Sequence, residues 1–265
     1  MQTARRGLCL LGIAAGLWTH TVRADDRVTL EDVALMLDSD QPSDIQEAIE
    51  ASAAIGEAGV VPLLEKRMRE GLPVDLLAAA LDALSLLQKP SAAPVLQELM
   101  LYRDPKIRIA AIQAFVALGP KHTPQAEALL VRRLGDGDPG VRAAAAAGLG
   151  ELSVRSALPS LFKAFEKGIQ GSGGALSKLA APEHLDRIVG YLGVYPFENV
   201  APILLGLLER ADFAEGAKLR VIEEIQAVAT PEARSALESV EDMDRKIVTV
   251  RVRRAAAGAA TRISE

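Results

Sequence analysis

Aromatic residues make up only 3% of this 265-residue chain, with a single tryptophan and three tyrosines. Aromatic side chains usually supply much of a core's volume and of an interface's energy. Their scarcity argues against recognition by base stacking and against an aromatic-lined cofactor pocket. Cysteine is scarcer still: Cys9 is the only one, so no disulfide can form within the chain. Thiolate-rich zinc sites are excluded on the same ground. Long apolar runs are also missing, apart from Gly7 to Trp18. What remains is an apolar fraction of 49%, mostly Ala, Leu, Val and Ile, which excludes simple disorder and implies an aliphatic core.

The first 24 residues differ from the rest. Arg5 and Arg6 precede the uncharged run GLCLLGIAAGLW, and Val22-Arg23-Ala24 offers a cleavage site just before Asp25. That is the layout of a secretory signal peptide. Its apolar run is shorter than the roughly 20 residues that span a bilayer, so no stable membrane insertion is expected after cleavage, although a retained anchor is the rival reading. Removal of residues 1–24 takes Arg5, Arg6 and Arg23 with no acid, moving the formal charge from −5 to −8. It also takes Cys9, leaving no thiol for catalysis. The expected location is periplasmic or secreted.

Residues 25–265 carry an internal repeat. In DPGVRAAAAAGLGEL, with Val141 as position zero, Ala145, Gly148, Leu149 and Leu152 fall at +4, +7, +8 and +11. DPKIRIAAIQAFVAL matches through Ile107, Ala111, Ala114, Phe115 and Leu118, and LLAAALDALSLL through Leu76, Ala80, Ala83, Leu84 and Leu87. VRRAAAGAATRI matches near the end, from Val252 to Ile263. These offsets trace one face of an α-helix. A second helix follows in GVVPLLEKRMREG, SAAPVLQELML and SALPSLFKAFEKG, each with a proline (Pro62, Pro94, Pro159) suited to a first helical turn. Paired helices repeating every 31 to 34 residues define an α-solenoid.

The stretch from Asp138 to Phe165 resembles the HEAT-like repeat family, in the short bacterial form also found in phycobilisome lyases. The resemblance implies an all-α, right-handed α-solenoid of about six helix pairs. TLEDVALML (Thr29 to Leu37) is expected to be a capping helix, and Ser43 with Gln46 a capping box opening the first repeat. Residues 169–213 fit loosely: the segment from Gly171 holds a shortened repeat, and the helix in VYPFENVAPILLGLLER has no evident pair. The pattern resumes from Ala217.

Few residues suggest chemistry. Asp104 with Arg108, and Asp138 with Arg142, recur at equivalent positions, so they are expected to cap helices and hold neighbouring turns rather than bind ions. His122 and His184 have no ligand partner nearby, and the paired His-Glu motifs of HEAT-like metal hydroxylases are absent. No metal, no cofactor and no catalytic residue is expected. GSGG (Gly171 to Gly174) lacks the Lys-Ser or Lys-Thr of a phosphate loop. Tyr191, Tyr195 and Phe197 concentrate aromatics beside the shortened repeat, either as a partner-binding patch or as filling for the defect.

Together these readings point to a non-enzymatic scaffold that holds a protein or peptide along a groove of second helices. Lys66, Arg67, Arg69, Gln97, Glu98, Arg132, Arg133, Lys163 and Lys167 are the groove candidates, with Tyr191, Tyr195 and Phe197 beside them. The negative net charge disfavours a nucleic-acid partner. The resemblance to phycobilisome lyases implies the alternative, a lyase-like protein or enzyme subunit handling a tetrapyrrole or other small ligand.

Overall fold

The computed structural model describes residues 28–119 and 124–263; the expected leader, residues 1–24, and His122 lie outside them. The helices are α1 (Leu30–Leu37), α2 (Pro42–Ile55), α3 (Val60–Glu70), α4 (Val74–Leu87), α5 (Ala93–Leu99), α6 (Pro105–Ala117) and α7 (Pro124–Arg133). They continue as α8 (Pro139–Glu151), α9 (Leu158–Glu166), α10 (Ser172–Leu179), α11 (Leu185–Val189), α12 (Phe197–Leu208), α13 (Glu215–Val228), α14 (Pro231–Glu238) and α15 (Val250–Ala260). The described residues contain no β-strand, only a single bridge between Leu192 and Tyr195. The fold is an all-α solenoid.

Small side chains decide how the first helices stack. α2, α4, α6, α8, α10 and α12 form one row, each packed on the next. Ala145 and Ala146 of α8 are fully buried. A Cβ at Gly148 would lie 2.7 Å from Val116 Cγ2 of α6, and one at Gly206 of α12 would lie 2.7 Å from Ser177 Cβ of α10. The five alanines of α8 therefore serve close approach, while Leu149, Leu152, Leu158, Leu161 and Phe165 supply volume. Each second helix (α5, α7 and α9) packs against the first helix that follows it.

The recurring polar pairs hold the turns. Asp138 Oδ1 accepts from the Val141 amide at 3.0 Å, and Asp104 Oδ1 from the Lys106 amide at 2.8 Å. Arg142 Nη1 donates to the carbonyls of Asp136 and Gly137, as Arg108 Nη1 does to those of Tyr102 and Arg103. Arg253 repeats the grip on Glu241 and Met243. Each arginine thereby satisfies carbonyls at a helix-to-helix turn that would otherwise lack donors.

One local expectation is overturned. Ser43 and Gln46 make no capping box: α2 begins at Pro42, two residues before the start that a Ser43 cap implies, after Gln41, which caps with no side-chain bond. Pro42 presets the first turn, and Ser39 instead anchors the entry by donating to Asp44 and accepting from the Gln41 amide. The true capping box joins Thr29 and Asp32 on α1.

The irregular stretch now has a clear arrangement. α10 is the shortened first helix, and α12, unpaired by sequence, packs on α10 and extends the first row. α12 also meets α13 and α14, while α13, α14 and α15 pack on one another as a final unit. Gly171, with φ 81°, sets the start of α10 where a Cβ would sit 3.0 Å from the Ala143 carbonyl of α8. The first glycine of GSGG thus permits a close helix approach.

Candidate interaction surface

Periodicity places one stripe of each of the second helices α3, α5, α7 and α9 in water, and prolines mark where the stripes of α3, α5 and α9 begin. Pro62, Lys66 and Arg69 are exposed on α3, Pro94 and Glu98 on α5, Arg132 on α7, and Pro159, Lys163 and Glu166 on α9. Glu98, Arg132 and Glu166 follow one another at intervals of 34 residues. Rungs of polar contact join these helices: Arg69 lies 3.7 Å from Glu98, Ser156 donates to Glu127 at 3.0 Å, and Arg187 meets Glu166 at 2.7 Å.

The groove candidates divide by environment. Lys66, Arg69, Glu98, Arg132, Lys163 and Lys167 are exposed, whereas Gln97 and Arg67 are half-buried. Lys66 pairs with Asp38 at 2.9 Å, and that hydrogen bond and charge hold its ammonium above the usual lysine range. Arg67 sits 3.9 Å from Glu70, with its Nε buried and without a partner. Arg133 is drawn inward to Asp136 at 2.9 Å, so its guanidinium belongs to the turn and not to the surface.

The aromatic residues form a cluster between α9 and the segment after α11. Tyr191 is buried, with its ring centroid 5.0 Å from Phe165 and 5.2 Å from Tyr195. Its hydroxyl donates to Glu166 Oε1 at 2.7 Å. Burial raises its pKa, the bond to Glu166 adds to this, and Arg187 opposes it, leaving the phenol pushed up to about 12. Glu166 is lowered by its bonds from Arg187 and Tyr191. The Arg187 guanidinium lies 4.1 Å from the Phe162 ring centre, and His184 stacks on the same ring at 5.8 Å. His184 Nδ1 accepts from the Ala181 amide, so it closes a turn. Phe197 is half-buried at the start of α12, and Tyr195 is half-buried in the cluster.

This cluster fills the defect of the shortened repeat. Phe162, Phe165, Glu166, Arg187 and His184 joined it without any local signal, because they come from different repeats. Tyr191→Phe is expected to cost about 1 kcal/mol in chemical denaturation, since Glu166 keeps Arg187. A loss near zero would show that the phenol bond contributes nothing.

Among the described residues, no group of three or more His, Cys, Asp or Glu could hold a metal ion. No described helix is long and apolar enough to cross a membrane. A cleft of about 930 Å³ between α1 and the end of α2 is lined mainly by Leu30, Ala51, Ala54 and Ile55, with Glu31 and Glu57 at its edge. It shows no converging donors of the kind that orient a small substrate.

The HEAT repeats family profile matches residues 102–169, which run from the turn before α6 to the turn after α9. Solved structures are similar at low identity. The complex of CpcE and CpcF of phycocyanin lyase from Nostoc sp. PCC7120 aligns with a TM-score of 0.48 at 18% identity, covering 94% of this chain and 100% of that one. Human deoxyhypusine hydroxylase aligns at 0.43 and 16%, covering 88% of this chain and 95% of that one. A designed armadillo repeat protein aligns at 0.41 and 16%, covering 89% and 100%. No curated protein matches the sequence. The HEAT repeats match is confined to residues 102–169, where α6 and α8 lie within the continuous row of small-residue helix seams.

Proposed function

We propose that this chain is an exported, non-enzymatic scaffold whose second helices hold a segment of another protein. The observation that carries the reading is the exposed stripe running from Lys66 through Glu98 and Arg132 to Lys163, one helix after another at equivalent sites. A surface that repeats in this way suits an extended partner lying across several units. The basic n-region, short apolar run and Val22-Arg23-Ala24 site support export, with a mature chain starting at Asp25.

A photo-crosslinking residue at position 132 or 163, set against one at exposed Gln113 on the first row, tests the scaffold reading. Expressed in a bacterial host and irradiated with envelope extract, the second-row sites should give the same discrete adduct while position 113 gives none. Equal adducts from both rows would overturn the assignment of the face. A stoichiometric shift in visible absorbance on adding bilin or haem would overturn the non-enzymatic reading. Terminal sequencing that finds Met1 instead of Asp25 would overturn export by cleavage.

A further inference from the structure

Within a chain of negative net charge, one edge of the array is basic. The turn between α5 and α6 carries exposed Arg103, the first turn of α6 exposed Lys106, the last turn of α7 exposed Arg132, and the end of α9 exposed Lys163 and Lys167. Chain direction places the α5–α6 turn and the last turns of α7 and α9 at the same end of their helix pairs. Arg108 confirms the first step, since it grips the α5–α6 turn with Nη1 and reaches Asp136, beyond α7, with Nη2 at 2.7 Å.

The described acids along this edge are engaged, including Glu98 at the end of α5, which lies 3.7 Å from Arg69. Asp104 and Asp138 cap helices, Asp136 takes Arg108 and Arg133, and Glu166 takes Arg187 and Tyr191. Among the described residues Arg103, Lys106, Arg132, Lys163 and Lys167 make no ion pair, and of these only Lys163 feels a neighbouring carboxylate, Glu166, so four like charges stand without compensation. The other basic run, near the end of the chain, differs because exposed Glu241 and Asp242 precede Lys246 by only a few positions in the sequence.

From this charge pattern we infer that the edge formed by the ends of α7 and α9 and the α5–α6 turn receives an acidic, extended protein segment. The inference rests on the scaffold reading and adds the chemistry of its partner. Two helix spacings make the edge roughly 20 Å long, which an extended segment of about six residues spans. A long polyanion fits less well, because the surrounding negative charge would repel whatever extends past those units.

The test uses a fluorescein-labelled octaglutamate peptide and fluorescence anisotropy on the full chain at low and at moderate salt. Binding should weaken as salt rises. Reversal of Arg132, Lys163 and Lys167 to Glu should weaken it by about tenfold or more, because like-charge contacts oppose docking. Reversal of Lys178, Lys246 and Arg254, the same change in net charge elsewhere, should leave it within about twofold on the same reasoning. Arg132→Gln with Lys163→Gln and Lys167→Gln should give a smaller loss, and it carries the test should the reversed variant not fold. Absent binding by the parent chain, or equal losses from both sets of reversals, would overturn the inference. Tighter binding of duplex DNA or of phosphatidylglycerol vesicles at the same salt would also overturn it, in favour of those surfaces. Loss of the peptide with persistence of the second-row crosslinks would remove only the acidic partner and leave the scaffold standing.

Discussion

Gly150→Val in α8 is expected to lower the stability of the folded chain by about 3 kcal/mol, the upper end for overpacking in a well-filled interior. A Cβ at position 150 would stand 2.8 Å from Ala175 Cα and 3.0 Å from Ala175 Cβ of α10. The obstacle is backbone, which cannot rotate away as a side-chain tip does. Even Gly150→Ala should destabilise: alanine favours a helix by up to about 1 kcal/mol over glycine, but separating two packed helices costs about 1–3 kcal/mol. Gly174 in α10 supplies the opposite case, since a Cβ there meets nothing within 4 Å. Gly174→Ala should therefore stabilise by about 0.5–1 kcal/mol. Urea denaturation of both alanine variants checks the argument. The same sign for both would refute the seam as the determinant.

Asp136→Ala is expected to cost about 2–4 kcal/mol, because it leaves two largely buried guanidinium groups without their carboxylate. The Asp136 side chain is 4% exposed, and those of Arg108 and Arg133 are each 14% exposed. Both arginines already have a buried Nε without a partner, so losing the carboxylate adds to donors that are already unsatisfied. The carbonyls of Tyr102 and Arg103 still hold Arg108, which keeps the cost below that of a fully buried pair.

The same carboxylate predicts a pH dependence. Burial pushes its pKa up, but the Arg108 bond, the Asp138 amide and the charges of Arg108 and Arg133 outweigh burial and hold it below the ordinary 3.8. A depressed folded value means that the contribution is complete above the unfolded pKa and lost as pH falls through the folded one. Wild type should thus lose stability more steeply than Asp136→Asn below about pH 4, and the two urea midpoints should converge. Parallel acid limbs would show that Asp136 titrates alike in both states.

Helix identity was legible because one face repeats. The offsets from Leu76, Ile107 and Val141 placed α4, α6 and α8, and Pro94 and Pro159 marked the first turns of α5 and α9. Asp104 and Asp138 were readable as caps because a cap acts within three residues of itself. The start of α2 was misplaced for the same local reason: Ser43 and Gln46 satisfied a pattern, but Pro42 was the stronger signal. The pairing of α12 was not legible, because it depends on α10, whose Ser177 meets Gly206 across 29 positions.

The candidate surface was legible only in part. Exposure of Lys66, Glu98, Arg132 and Lys163 follows from helical period, which any sequence displays. The engagement of Arg133 by Asp136 does not, because Asp136 is held in place by a second arginine, Arg108, that reaches it from 28 positions away.

By itself, the order of residues determined that this chain forms paired helices with small-residue seams, since period, caps and prolines act over a few positions. Tertiary structure alone decided which charges remain free, which aromatics fill the shortened repeat and where α12 docks. Those outcomes depend on contacts between units some 20 to 35 residues apart, such as Glu166 with Arg187 and Asp186 with Arg220. A charge is engaged or available only when the neighbouring unit is in place, and no local pattern encodes that neighbour's position.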